Sequence, residues 1–210
     1  TERDFLAVRS RLFLAPVFLP PVLAVDQEMR LSAGGALCIR MDVQPLLDNL
    51  PPFPRLGIRL LLPETLSRAE WTGLGPHGSA PDMQLSVRTG RFSMEVDRMG
   101  ETCLKPQENG VRSGTRRLIL ADIHGQGIGI RSDAPFLFSA RTCTVEELAA
   151  AAHPHEVPKR DFIELCLDAA YHGIGSSSCG PLPWPPYRLE PAPRCFTFWL
   201  EPTGFRSGES

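Results

Sequence analysis

Four short stretches of the sequence gather side chains that could do chemistry. In "EWTGLGPHGSAPD", Trp71 precedes a Gly-Pro corner, where an indole can either stack on a sugar ring or plug the end of a sheet. His77 and Asp82 follow, an imidazole and a carboxylate that could hydrogen-bond a ligand or move a proton. In "KPQENGVRSGTR", the residues Gln107, Glu108, Asn109, Arg112 and Arg116 crowd around two glycines. Amides, carboxylates and guanidinium groups each hold vicinal hydroxyls, so this stretch suits a polyhydroxylated ligand. Asn109-Gly110 is equally a strong signal for a type I′ turn in a polar hairpin. "HPHE", His153 to Glu156, offers two imidazoles but no third ligand at a recognisable spacing, so no metal is expected. "GIGSSSCGP" places Cys179 in a serine-glycine loop, and a reactive thiolate there would need a cationic partner that nearby His172 does not supply with defined geometry. Asp82, Glu95, Glu108 and Asp168 are carboxylates available for glycoside chemistry, yet nothing in the sequence pairs any two across a cleft. No phosphate-cradling glycine loop occurs, and no cofactor is expected in this chain.

The elements that must position these residues read as strands. In "LCIRMDV", Leu37, Ile39, Met41 and Val43 share one face. Leu56, Ile58, Leu60 and Leu62 do so in "RLGIRLLLP", Ile163, Leu165 and Leu167 in "DFIELCLD", and Phe196, Phe198 and Leu200 in "RCFTFWLEP". "RRLILADIHGQGIGIRSD" reads as two strands around a turn near Gly125, with Gly127 and Gly129 marking close backbone approach. One helix is expected: Thr144 and Glu147 have capping-box spacing, and "VEELAAAA" runs on until His153-Pro154 stops it. The opening apolar run, Leu12 to Val25, is broken by Pro16, Pro20 and Pro21, which predicts a buried strand and a proline turn rather than a signal peptide or a membrane span. With 210 residues the chain can form one large domain. A formal net charge of -2 and no run of like charges argue against a nucleic-acid partner. Six cysteines without a CxxC pair are expected to be mostly reduced core thiols, which favours a cytoplasmic over a secreted chain.

The order of these motifs carries more than any one of them. "PRLGIRLLLP", "EWTGLGPHGSAPD", "LKPQENGVRSGTR", "APFLFSA", "TVEELAAAAH" and "LCLDAAYHGIGSSSCGPLPWPPYRL" together resemble the C-terminal, small-chain domain of the β-galactosidases of glycoside hydrolase family 2, from about Met41 to Pro202. The resemblance implies an all-β fold, a large antiparallel β-sandwich of the galactose mutarotase-like (supersandwich) type with one short helix. It implies a single domain over residues 1–210, one whose first strands precede this sequence. It places the catalytic glutamates and the magnesium site in a separate barrel domain, so this chain holds no catalytic residue and is expected to be inactive alone.

Its implied partners are that barrel, fused or separate, and a galactose-containing sugar. The resemblance makes His77, Asp82, Cys179 and Trp184 sugar-binding candidates, and Gln107, Glu108, Asn109 and Arg112 a polar turn that is either structural or ligand-binding. Two departures stand out. Gly78, Ser79 and Ala80 replace a Glu-Asn-Tyr of the family loop, which removes polar reach, and Cys179 stands where some members carry a tryptophan, with Trp184 near enough in sequence to substitute. A stand-alone carbohydrate-binding module, a pure interaction domain, and an epimerase pairing His77 or His155 with Glu108 are the alternative readings.

Overall fold

The computed structural model describes residues 5–175 and 182–204. Among these, strands with alternating apolar residues build two antiparallel sheets whose apolar faces meet. The larger sheet has eight strands, numbered here in chain order: β1 (Phe5–Leu14), β2 (Leu23–Ser32), β3 (Leu37–Pro45), β5 (Arg68–Gly75), β6 (Arg88–Glu95), β8 (Arg117–Ala121), β9 (Gly127–Ser132) and β12 (Arg194–Thr203). Their spatial order is β1-β2-β3-β12-β9-β8-β5-β6. The smaller sheet has four, in the order β4 (Arg55–Pro63), β11 (Phe162–Tyr171), β10 (Phe136–Arg141) and β7 (Arg112–Thr115). An all-β sandwich was the expected class, and this is one.

The alternation predicts the core well. Ile163, Leu165 and Leu167 are fully buried, Phe198 of β12 packs edge-on to Phe136 of β10, and Leu56, Ile58, Leu60 and Leu62 of β4 pack against the cluster from the sheet edge. Trp71 is a plug and not a platform: it is buried, packs on Phe92 and Phe138, and donates its indole N–H to the Leu74 carbonyl at 2.9 Å. Asp122 to Gly125 make the turn between β8 and β9, where Asp122 Oδ1 accepts from the backbone N–H groups of His124 and Gln126. A Cβ on Gly127 would lie 1.9 Å from the Leu120 carbonyl oxygen, which is the close approach its glycine predicts. The helix α1 (Val145–Ala150) carries a full capping box: Thr144 Oγ1 accepts from the Glu147 N–H, and the Glu147 carboxylate accepts from the Thr144 N–H.

Three expectations are corrected. The strand in the opening apolar run exists, with the Pro16–Leu19 turn after it, but it is not buried: β1 is the outer edge of the eight-stranded sheet and is exposed along nearly its whole length. The four-stranded sheet ends at β4, and Leu12 and Leu14 of β1 face that edge across a cavity that Val145 and Glu146 also line. The second correction concerns Asn109-Gly110, which forms no hairpin. β6 and β7, the strands on either side, belong to different sheets, and Gly110 but not Asn109 has a positive φ, whereas a type I′ turn needs two. The third concerns the thiols: of the five described cysteines only Cys143 and Cys166 are buried, and Cys195 is exposed. Among the described residues no helix is long and apolar enough to cross a membrane.

Candidate functional site

Three loops meet at one end of the sandwich, and each is fixed by a few polar contacts. The corner after β5 is sewn to the smaller sheet through Ser79: its N–H donates to the Val111 carbonyl at 2.8 Å, its hydroxyl accepts from the Ser113 N–H at 2.8 Å, and the Ser113 hydroxyl donates to its carbonyl. Ser79 and Ala80 are buried, so the small residues that shorten this loop's polar reach are the ones that let it lie down on β7. Asp82 ends the corner. Its carboxylate accepts from the backbone N–H groups of Ile174 at 3.0 Å and Gly175 at 2.6 Å, which joins this loop to the one that follows β11.

The second loop, residues 99–111, folds around Asn109. The Asn109 amide oxygen accepts from the Glu101 N–H at 2.8 Å, and its nitrogen donates to the carbonyls of Glu101 and Gln107 at 3.1 and 2.9 Å. Arg112 closes the loop from below. Its guanidinium donates to the carbonyls of Gly110 at 2.7 Å and Met99 at 3.3 Å, with its carbon 5.5 Å from the Trp71 ring centroid, and burial lowers its pKa to about 10. Asn109 and Arg112 thus direct these hydrogen bonds to backbone groups of the loop itself.

The third group comes from β4 and β11. Arg55 donates its Nε to Asp168 Oδ1 at 3.0 Å and a terminal nitrogen to Asp168 Oδ2, a two-point pairing, while its other terminal nitrogen donates to Glu108. The same guanidinium lies 5.3 Å from the Tyr171 ring centroid. Arg141 of β10 donates to the Asn109 carbonyl at 3.2 Å and stands 3.9 Å from Glu108. Burial and the nearby Glu108 and Asp168 charges raise the Tyr171 hydroxyl well above its ordinary value, so it stays a neutral phenol. Beside this cluster a cavity of about 270 Å³ opens between Pro54, Gln107, Glu108, Tyr171, His172 and the Gly173–Gly175 backbone.

The structure brings Asp82, Gln107, Glu108, Asn109 and Arg112 to one end of the molecule but only Gln107 and Glu108 into the cavity wall. His77 is exposed, and its ring makes no hydrogen bond among the described residues. Trp184 is 74% exposed at the start of a 3-10 turn, Pro185–Tyr187, whose Tyr187 carbonyl accepts from the Gly173 N–H; the indole does not line the cavity. Cys179 lies outside the described residues. His153 and His155 stack on each other with ring centroids 5.6 Å apart, and among the described residues no group of three metal-ligating side chains gathers. Neither His77 nor His155 lines the cavity that Glu108 lines, so the epimerase pairing has no geometric support; His172 does line it. Asp168 and Glu108 approach each other only through Arg55, and their shared bond to one guanidinium makes them its counter-ions rather than an acid and a base across a cleft.

Sequence reasoning missed Arg55, Arg141 and Tyr171. The available signal was the acidic positions of "FIELCLD": Glu164 and Asp168 alternate with Ile163, Leu165 and Leu167, which fixes their face but not that it is covered.

Comparison with known proteins agrees with this architecture. The family described as "Beta galactosidase small chain" matches residues 3–200. A β-galactosidase of Arthrobacter sp. (strain B7) is 37% identical over 177 residues, covering 82% of this chain and 17% of that protein. One from Photobacterium profundum is 32% identical over 175 residues, covering 82% of this chain and 16% of its own length, and one from Staphylococcus xylosus is 30% identical over 183 residues, covering 87% and 18%. The chain therefore spans about a sixth of the length of these curated relatives. A match running nearly end to end, on a sandwich whose motifs fall in the expected order, places the chain in the β-galactosidase small-chain family.

Proposed function

We propose that this chain serves as the small-chain domain of a β-galactosidase, docking on a larger catalytic body and completing or stabilising its galactoside site. The observation that carries the reading is the overhang of the eight-stranded sheet. Its outermost strands extend beyond β4, and Leu6 (67% exposed), Val8, Leu12 (45%), Leu14 (46%) and Leu31 are left to solvent on one flank. A cavity of about 450 Å³ lies between Leu12, Leu14, Leu23 and Met41 on one side and Leu56 and Ile58 at the free edge of β4 on the other. A contiguous apolar flank next to an unpaired strand edge is what a chain leaves bare when a further layer of protein normally covers it.

In this reading the strands that complete the smaller sheet, and the two carboxylates that cleave terminal β-galactosides with retention, belong to the larger body. The small chain contributes binding surface and shape, with no acid, base or nucleophile of its own.

Complementation tests it. This chain is mixed with a β-galactosidase catalytic body lacking its small-chain region, and hydrolysis of a chromogenic β-galactoside is followed against the concentration of added chain. Saturable activity, with each component inactive alone, is the expected result. Hydrolysis by this chain alone, or no association with the body, refutes the assignment.

A further inference from the structure

We propose that the hairpin between β1 and β2 is a docking knob, whose tip inserts the Phe18 ring into an apolar pocket of the larger catalytic body. The first argument is backbone conformation. The Leu19 N–H donates to the Pro16 carbonyl at 3.1 Å, so Pro16–Leu19 is a four-residue turn with Phe18 in its third position. Phe18 has a φ of 64° and is the one non-glycine residue with positive φ among the described residues. Glycine or asparagine ordinarily fills that position, because a Cβ crowds the backbone there. The phenylalanine is therefore strained, and its ring gains no packing from the fold: Phe18 is fully exposed, with Val17 (80%) and Leu19 (62%) in the open on either side of it. Strain kept for a side chain that packs on nothing in its own chain points to a contact made outside that chain.

The second argument is that the knob is built in advance. Pro16, Pro20 and Pro21 restrict the turn. The Val22 N–H donates to the Leu14 carbonyl at 2.8 Å and closes its base, and the Leu46 N–H donates to the Val22 carbonyl at 2.9 Å, which sets the exposed Leu46 and Leu47 beside it. A rigid aromatic tip loses little conformational freedom on binding. The third argument is charge, and it selects the partner. No charged residue occurs between Arg11 and Asp26, and these two pair with each other at 3.4 Å. A segment that settles on an anionic bilayer combines its apolar face with several free basic residues, and this hairpin has none at its tip. A neutral aromatic knob instead suits a desolvated protein pocket. Leu12 and Leu14, on the flank proposed for docking, lead along β1 into the knob, so one partner can cover both.

The knob rests on the docking reading, and its test separates the two. The catalytic body lacking its small-chain region is titrated with the full chain and with two variants, and association is measured. Phe18→Gly removes the ring and relieves the positive φ, so the isolated chain is expected to keep or raise its Tm while association weakens at least ten-fold. Phe18→Asn tolerates the same φ without the freedom of glycine, and is expected to weaken association as much. Parent-like association by either variant overturns the proposal, as does a Tm loss of several degrees in both, which would mean that the ring packs on its own chain. Two controls use the chain alone: vesicles of phosphatidylcholine and phosphatidylserine, and sedimentation over a range of concentrations. Vesicle binding or self-association that disappears in Phe18→Asn would assign the knob to a lipid surface or to a second copy, and overturns the proposal equally. A parent chain that does not associate refutes the docking reading and the knob with it. Parent-like association by Phe18→Asn together with weakened association by Leu12→Asp removes the knob and keeps the flank, and the reverse pattern keeps the knob and removes the flank.

Discussion

Asp82 illustrates how a residue of catalytic type becomes a structural one. Its two oxygens accept from two consecutive backbone N–H groups at the start of the loop after β11, so replacing it strands two amides and frees that loop from the β5 corner. Hydrogen bonds to a charged group contribute about 1.5–3 kcal/mol each. Asp82→Ala is therefore expected to destabilise the chain by roughly 2–3 kcal/mol in urea unfolding, and a loss under about 0.5 kcal/mol would show that the tie does not matter. Glu164 behaves differently. It is fully buried on β11, accepts from the Val145 N–H at 3.0 Å, and has Arg59 at 3.4 Å; burial nonetheless pushes its carboxyl above the ordinary 4.5. A folded pKa above the unfolded one means that the native state binds the proton more tightly. The stability this gives is fully present below the unfolded pKa and is lost as pH rises through the folded one. Glu164→Gln keeps an acceptor for Val145 and removes the titration, so its Tm relative to the parent chain should rise from pH 4.5 towards pH 7. A relative Tm that falls over this range would mean that Arg59 outweighs burial.

At the scale of elements, α1 is short and has no fully buried residue, so its ends decide whether it forms. The capping box satisfies donors at its start, Arg160 holds Glu147 at 2.8 Å, and the Glu164 carboxylate receives the Val145 N–H. Thr144→Ala should cost about 1 kcal/mol and raise hydrogen exchange over Val145–Ala150 while β11 keeps its protection; an unchanged exchange rate would assign the helix to its tertiary contacts alone. This element was legible because every part of its signal is local. Thr144, Glu147 and His153-Pro154 lie within one short segment. β3, β4, β11 and β12 were legible for the same reason, since alternation along one strand reports which side chains share a face. The exposure of β1 and the absence of a hairpin at Asn109-Gly110 were not, because both depend on which sheet a strand joins and what lies opposite it.

At the scale of the molecule, the mismatch between an eight-stranded and a four-stranded sheet shapes the flank proposed for docking. Leu12 sits on the inner flank of β1, 45% exposed, at the wall of the cavity beside β4. Leu12→Asp removes apolar contact with any covering layer yet leaves the core cluster of the chain itself intact. It should leave the Tm of the isolated chain within a degree or two and weaken association with the catalytic body about thirty-fold, as expected for losing roughly 2 kcal/mol at a buried interface position. Parent-like complementation by Leu12→Asp would remove this flank from the interface.

The sequence by itself determined the fold class, the core faces of the long strands, the capped helix, the turn at Gly125 and, through the order of six motifs, the family. Only the tertiary structure decided which polar residues are committed to the fold. Asp82 is held by the backbone amides of Ile174 and Gly175, and Asn109 and Arg112 by backbone groups of the loop they sit in, whereas Gln107, Glu108 and His172 line a shared cleft. The reason is physical: periodicity along a strand specifies the face a side chain takes, but hydrogen-bond satisfaction and burial depend on segments that meet only when the sheets stack, such as Arg55 with Asp168 across 113 residues.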